Sequence, residues 1–178
     1  APSASVVSDS DRKQFERLPV VLMSGVQQGS GTDSVVLNNV KGGYIAGQYL
    51  LGKGRRKFCF IGGSEDSFSV KERFSGFRKS IEGYESSVLS PDMIKFGDYR
   101  EKSGYRIMMD MIQEKRIPDA VFASNDLLAL GAIQAISDAG LRIPDDISVI
   151  GFDNIATASF RGVELTTIEH PKYRMGEL

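Results

Sequence analysis

A chain of 178 residues can bury a substantial core, but it makes at most one large domain or two small ones. Its 22 lysine and arginine residues nearly balance its 23 aspartate and glutamate residues, so the net charge of −1 provides no overall field that would attract nucleic acid or an anionic membrane. No apolar stretch approaches the roughly 20 residues that span a bilayer, the first residues lack the pattern of a signal peptide, and the single cysteine, Cys59, cannot form an internal disulfide. We therefore expect a cytoplasmic protein with no membrane partner.

Short apolar runs alternate along the chain with amphipathic segments of helical length, and a strand comes first in each pair. This alternation is typical of repeated βαβ units, so it predicts an α/β fold with doubly wound parallel sheets. The predicted strands cover residues 19–24, 57–62, 93–97, 119–123 and 147–152, and a further extended run covers 164–168. The predicted helices cover residues 41–52, 69–82, 101–115 and 126–139.

Glycine and cap-forming residues mark the ends of these elements. Gly54 and Gly140 are placed to end two helices, and Asn125 or Asp126 is placed to cap the start of the last predicted helix. Residues 27–34 are rich in glycine and serine, which predicts an exposed loop or crossover. The chain begins without a preceding strand and stops as a helix starts, so we expect a piece of a longer protein.

Polar or aromatic residues stand where the predicted strands end or where the following helix begins. Ligands of doubly wound sheets bind outside the carboxyl ends of the strands, so these residues form the candidate binding site. An arginine offers paired donors to hydroxyls or a carboxylate, carboxylate and amide groups fix hydroxyls, and a tyrosine stacks on a ring. This mixture suits a sugar, a nucleobase or another small metabolite. The candidates are Ser24, Ser69, Arg73, Tyr99, Asn125 and Asp153.

Several of these residues also have an ordinary structural interpretation. Asp126 is more simply a helix cap than a ligand residue, and Asp153 could form a turn with the residue after it. Arg73 could be an exposed arginine beside nearby glutamates, and Tyr99 could only cover the edge of the sheet. Cys59 is most simply a buried strand thiol.

The sequence gives little support to enzymatic chemistry. The lone histidine, His170, has no nucleophile motif near it, and no Cys/His cluster has the spacing of metal ligands. No glycine-rich segment has the strand-to-helix context of a dinucleotide loop or the lysine of a P-loop. The basic run at residues 53–57 is more simply a solvated helix end than a phosphate site. We expect a protein that is not an enzyme and that needs no cofactor or metal.

Three longer motifs lie in the second half of the chain. Residues 125–131 read Asn-Asp-Leu-Leu-Ala-Leu-Gly, residues 143–153 read Ile-Pro-Asp-Asp-Ile-Ser-Val-Ile-Gly-Phe-Asp, and residues 165–171 read Leu-Thr-Thr-Ile-Glu-His-Pro. Shorter matches precede them at residues 18–22 and 72–77. In this order, and over nearly the whole chain, the motifs resemble the LacI/GalR family of transcriptional regulators.

The resemblance implies an effector-binding core similar to type I periplasmic binding proteins, with two α/β subdomains and a small-molecule cleft between them. Residues 1–36 and 168–178 would form part of the amino-terminal subdomain, and residues 37–167 the carboxyl-terminal one. The DNA-binding helix-turn-helix would precede this chain. Family positions that line the cleft match Ser69, Arg73, Tyr99, Asn125 and Asp153, whereas Ser24 and the glycine after it depart from the family pattern.

The resemblance also implies that the protein forms a homodimer and that effector binding changes the affinity of this homodimer for operator DNA. The family's dimer surface includes the helix matching residues 126–139 and the segment after Asp153. A sugar is the default effector of the family, and a purine-like metabolite is the other candidate. A solute-binding protein that delivers a sugar or nucleoside to a transporter is the alternative function, because fold alone does not separate the two. The interface candidates are Leu127, Leu130, Gln134 and Arg161.

Overall fold

The computed structural model of the chain describes residues 21–23, 33–160 and 162–178. Within these ranges the chain forms seven strands and five α-helices, with short 3-10 turns at Pro91–Met93 and Ala156–Ser159. The strands are β1 (Val21–Met23), β2 (Asp33–Val35), β3 (Phe58–Gly62), β4 (Ile94–Phe96), β5 (Ala120–Ala123), β6 (Ser148–Asp153) and β7 (Thr166–Glu169). The helices are α1 (Asn39–Gly52), α2 (Phe68–Ile81), α3 (Glu101–Gln113), α4 (Asp126–Asp138) and α5 (Lys172–Glu177).

The predicted alternation of strands and helices is confirmed, and each described end of a predicted element lies within two residues of its observed end. Gly54 and Gly140 follow two helices with left-handed φ angles of 82° and 74°, as the glycine stops predict. The loop predicted at residues 27–34 is wrong in its last two positions, which belong to the parallel strand β2. That strand has only three residues and none of them is fully buried. It therefore lacks the apolar run by which a strand can be distinguished from a loop in the sequence.

The larger sheet has the strand order β4-β3-β5-β6-β7, and every neighbouring pair is parallel. The chain therefore steps from β3 outward to β4 and then back past β3 to β5, which makes β3 and β5 the neighbours at which the winding reverses. Because crossovers between parallel strands are right-handed, the two directions of winding place helices on opposite faces of the sheet. The α/β fold with parallel sheets is confirmed.

The chain divides into two compact units. One comprises residues 39–170 and holds the five-stranded sheet with α1 to α4. The other comprises residues 1–38 and 171–178 and holds the β1–β2 pair and α5. The assignment of residues 37–167 to a carboxyl-terminal subdomain, and of the remaining chain to an amino-terminal one, stays a prediction.

The two faces of the larger sheet carry different cores, because successive side chains of a strand point to opposite faces. One face holds a layer of phenylalanine rings whose centroids lie 5.0–6.3 Å from their neighbours. The other face packs α3 and α4 on aliphatic and sulfur-containing side chains. The aromatic layer comprises Phe58, Phe60, Phe74, Phe77, Phe96 and Phe122.

Candidate functional site

Helices α1 and α2 pack closely enough to bring Arg73 to the carboxyl ends of the sheet. A Cβ on Gly43 of α1 would lie 1.9 Å from the carbonyl oxygen of Arg73, and a Cβ on Gly76 of α2 would lie 1.9 Å from that of Val40. Only glycine permits this backbone approach. Ser69 and Arg73 are four residues apart on α2 and therefore share one helix face.

The Arg73 guanidinium is buried and held by groups from several elements. Its Nε donates to Oδ1 of Asn39 at 3.0 Å, and its Nη1 donates to the carbonyl oxygen of Ser124 at 2.5 Å. The guanidinium carbon lies 3.6 Å from the ring centroid of Phe152, a cation–π geometry. Among the described residues, Nη2 has no hydrogen-bond partner. The alternative of an exposed arginine is wrong, because only 9% of Arg73 is exposed.

Asp153 supplies the negative charge opposite this guanidinium. Its Oδ1 lies 3.6 Å from Nη1 of Arg73 and 3.9 Å from Nδ1 of His170. Burial lowers the pKa of Arg73, while the Asp153 carboxylate acts in the opposite direction. The pair thus presents a donor from α2 and an acceptor from the end of β6 side by side, which suits a ligand that carries hydroxyls.

The backbone after β6 makes a left-handed turn at two consecutive residues that are not glycine. Asp153 has a φ of 108° and Asn154 a φ of 48°. Side chains rarely adopt such angles, and each costs on the order of 1–3 kcal/mol. The alternative that Asp153 forms a turn is therefore compatible with its role as a candidate ligand residue, since the turn itself directs the carboxylate toward Arg73.

Asn125, and not Asp126, caps helix α4. Oδ1 of Asn125 accepts from the backbone N–H of Leu128 at 3.0 Å, and its Nδ2 donates to the carbonyl oxygen of Tyr99 at 3.1 Å. The interpretation of Asp126 as the cap is therefore wrong, because its carboxylate accepts from Ile155 and Thr167 instead. Asn125 fixes the helix start and the Tyr99 backbone, and its role toward a ligand stays a prediction.

Tyr99 and Ser69 lie at the same end of the sheet. Tyr99 has a left-handed φ of 65°, and a Cβ on Gly63 would meet its ring at 2.0 Å, so the ring lies against the turn that follows β3. The hydroxyl of Ser69 is half-buried and lies 3.1 Å from that of Ser67. Ser24, the remaining ligand candidate, lies outside the described residues.

Three contributors to the site were missed from the sequence. Asn39 holds Arg73 and donates to Oε2 of Glu72 at 3.1 Å, Phe152 forms the floor beneath the guanidinium, and His170 stands beside Asp153. The sequence positions of two of these residues could have indicated them. Phe152 directly precedes Asp153, and His170 comes two residues after the last predicted extended run.

The interface candidates on α4 lie along one side of the helix. Leu127 is 40% exposed, Leu130 is half-buried, and Gln134 is exposed and donates to Oδ1 of Asp138 at 2.7 Å. Arg161 lies outside the described residues. Their role in a dimer stays a prediction.

The described ranges of the chain contain no group of three or more His, Cys, Asp or Glu residues that could hold a metal ion. None of their helices has the length and apolar character of a membrane span. Cavities of about 260 Å³ beside Lys57 and about 360 Å³ beside Arg78 include none of the candidate ligand residues.

Sequence comparison identifies relatives among transcriptional repressors. A model of the periplasmic binding protein-like domain matches residues 48–178. The HTH-type transcriptional repressor PurR of Yersinia enterocolitica is 40% identical over 93% of this chain and 48% of its own length, and that of Proteus mirabilis is 39% identical over 92% of this chain and 48% of its own length. The chain thus spans about half the length of these curated relatives.

Solved structures of LacI-family regulators share the fold. A regulator from Enterococcus faecium with bound ribose is 27% identical, with a TM-score of 0.84 over 98% of this chain and 65% of its own. A sugar-binding LacI-family regulator from Escherichia coli, complexed with phosphate, is 26% identical, with a TM-score of 0.83 over 95% of this chain and 61% of its own. The predicted resemblance to LacI-family regulators is confirmed.

Proposed function

We propose, on the premise that this chain belongs to the family of periplasmic binding protein-like domains, that it is the effector-binding part of a LacI/GalR-type transcriptional regulator. Its curated relatives are repressors, which favours this function over that of a solute-binding protein that serves a transporter. Repressors are not enzymes, and we propose no catalytic activity for this chain. Operator DNA would be bound by a segment outside these residues, in a homodimer in the cytoplasm.

The observation that carries the proposal is the Arg73–Asp153 pair. Arg73 is fixed by Asn39, by the Ser124 carbonyl and by the Phe152 ring, so little side-chain entropy remains to be lost when a ligand binds. Its Nη2 supplies donors in a fixed direction, and Asp153 supplies a charged acceptor. Neighbouring hydroxyls of a sugar ring match this arrangement, because each hydroxyl both donates and accepts.

We propose a sugar as the effector class to test first and a purine-like metabolite as the second. The Enterococcus faecium regulator was solved with ribose, and the Escherichia coli regulator is described as sugar-binding. Tyr99 adds an aromatic surface at the same end of the sheet, on which a sugar or a purine ring could stack. Ser69 would add a hydroxyl from the first turn of α2.

Effector binding would act on DNA affinity through a change of conformational state. A ligand shifts an equilibrium between two states only by its difference in affinity for them. By linkage, operator DNA would change the affinity for the effector by the same factor. We propose that the contacts of Arg73 and Asp153 with the effector supply this difference.

The experiment is a thermal titration of the intact protein with ribose, galactose, adenine and guanine. A compound present at 100 times its Kd stabilises the native state by about 2.7 kcal/mol, which raises the melting midpoint by roughly 3–5 °C in a protein of about twice this chain's length. In the variant Arg73→Lys we expect affinity for that compound to fall at least about tenfold, or about 1.4 kcal/mol, because a lysine lacks the planar fork of donors.

Arg78→Lys is the matched control. Arg78 lies on the same helix, is exposed and pairs with Glu82, so we expect its substitution to leave the affinity unchanged. Wild-type affinity in Arg73→Lys would contradict the role of Arg73. A flat midpoint with all four compounds would contradict the proposed effector classes.

A further inference from the structure

Asp126 is a completely buried carboxylate that cannot touch a ligand directly. None of its surface is exposed. A buried charge is costly unless hydrogen bonds satisfy it. Two come from groups distant in sequence: Oδ2 accepts from the backbone N–H of Ile155 at 2.8 Å, and Oδ1 accepts from the hydroxyl of Thr167 at 2.6 Å. The carboxylate thus joins the start of α4 to the segment after β6 and to β7.

The strand beneath Asp126 leaves room for this carboxylate. A Cβ on Gly151 of β6 would lie 2.3 Å from Oδ1 of Asp126, so any larger residue there would displace it. Gly151 is two residues before Asp153 on the same strand. The carboxylate is therefore packed against the strand that ends in the candidate ligand residue.

Both partners of Asp126 adjoin the left-handed turn at Asp153 and Asn154: Ile155 directly follows it, and Thr167 of β7 contacts it. Ile155 follows the two residues with positive φ, Asp153 and Asn154. The Thr167 hydroxyl oxygen also accepts from the backbone N–H of Asn154 at 3.4 Å. The backbone N–H groups of the two residues that follow Asp153 are thus hydrogen-bonded to Thr167 and to Asp126, respectively. A strained turn persists only where its surroundings fix it.

We propose that Asp126 is a positioning residue that holds the turn after β6 and thereby directs the Asp153 carboxylate toward Arg73 and the effector. The inference rests on the proposed effector function of Asp153. It assigns to Asp126 a role in binding that requires no contact with the ligand. Because Asp126 is also the first residue of α4, the same carboxylate links the effector site to the helix of the predicted dimer surface.

The test uses the intact protein and three variants. Asp126→Asn keeps the shape of the side chain but replaces one acceptor oxygen with a donor. Thr167→Val keeps the shape but removes the hydroxyl, and Thr167→Ser restores it. We expect the amide NMR resonances of residues 153–155 in the free protein to move in Asp126→Asn and Thr167→Val, and to stay near their wild-type positions in Thr167→Ser.

Affinity is then measured for ribose and for any other compound of the four that binds the wild type. We expect at least a fivefold loss in the first two variants and near wild-type affinity in Thr167→Ser. Unmoved resonances at residues 153–155 would overturn the proposal, and so would moved resonances with unchanged affinity. If the wild type binds none of the four compounds, the proposed effector classes fail, and the resonances alone decide whether Asp126 positions Asp153.

Discussion

Among the single side chains, Cys59 combines complete burial with a titratable group. It lies in β3 with none of its surface exposed, and its Sγ lies 3.7 Å from the sulfur of Met111. Burial raises the pKa of this thiol to about 12, although the charge of Lys95 opposes the shift. The interpretation of Cys59 as a buried strand thiol is therefore confirmed.

This raised pKa makes the free energy of unfolding depend on alkaline pH. An unfolded thiol ionises near pH 9, whereas the folded one stays protonated until about pH 12. The thiol's contribution is fully present below pH 9 and is lost as the pH rises from 9 towards 12. Between pH 7.5 and pH 10 we expect wild-type stability to fall by about 1.4 kcal/mol relative to Cys59→Ala, which has no thiol. Urea unfolding of both proteins at the two pH values measures the difference, and a constant difference would contradict the prediction.

Among the elements, the contact between α3 and α4 depends on a glycine. A Cβ on Gly131 of α4 would lie 1.9 Å from the carbonyl oxygen of Glu101 and 2.6 Å from the amide nitrogen of Tyr105. Both are backbone atoms at the start of α3, so a side-chain rotation cannot relieve the overlap. The two helices can approach to this distance only if position 131 has no side chain.

Gly131→Ala is therefore expected to push α4 away from α3 and to destabilise the fold by about 1–3 kcal/mol. Gly52→Ala is the matched control, because a Cβ on Gly52 of α1 meets nothing within 4 Å. That substitution should be neutral or stabilise by up to about 1 kcal/mol, since alanine loses less backbone entropy in a helix. Chemical unfolding of both variants gives the comparison, and equal midpoints would show that the predicted overlap is relieved without cost.

For the whole molecule, the predicted homodimer assigns a role to the exposed side of α4. Leu127 is 40% exposed on this helix. Tyr49 on α1 has a similar exposure of 42% but lies outside the predicted surface, with the ammonium of Lys53 5.3 Å from its ring centroid. The two residues therefore provide a matched pair for testing which helix meets a second copy.

In the intact protein we expect Leu127→Glu to weaken the dimer at least tenfold, because the variant would bury an unpaired carboxylate in the interface. Tyr49→Glu should leave the dimer intact. Sedimentation equilibrium at micromolar concentration separates monomer from dimer. Dissociation by Tyr49→Glu alone would place the interface on α1 and contradict the prediction for α4.

Local patterns predicted the elements and two candidate ligand residues that lie close together. Arg73 was proposed because it lies in the first two turns of the helix after β3, and Asp153 because it stands at the end of β6. Asn39 and His170 were missed because their partners lie 34 and 17 residues away, at Arg73 and Asp153, and no periodicity encodes that separation. The roles of Asn125 and Asp126 were not separable from sequence, because both residue types form caps. The hydrogen bond that Asn125 accepts from the Leu128 N–H, together with the bonds of Asp126 to Ile155 and Thr167, decides between them.

The first and last residues of the unit 39–170 each contact one member of the Arg73–Asp153 pair. Asn39, its first residue, binds Arg73, and His170, its last, lies beside Asp153. We expect a ligand that draws both Arg73 and Asp153 toward itself to alter the restraints on both terminal residues of the unit. Ligand binding would then change how freely the backbone moves at residues 39 and 170. The free energy of effector binding would therefore include a change in conformational entropy in addition to the enthalpy of the new contacts.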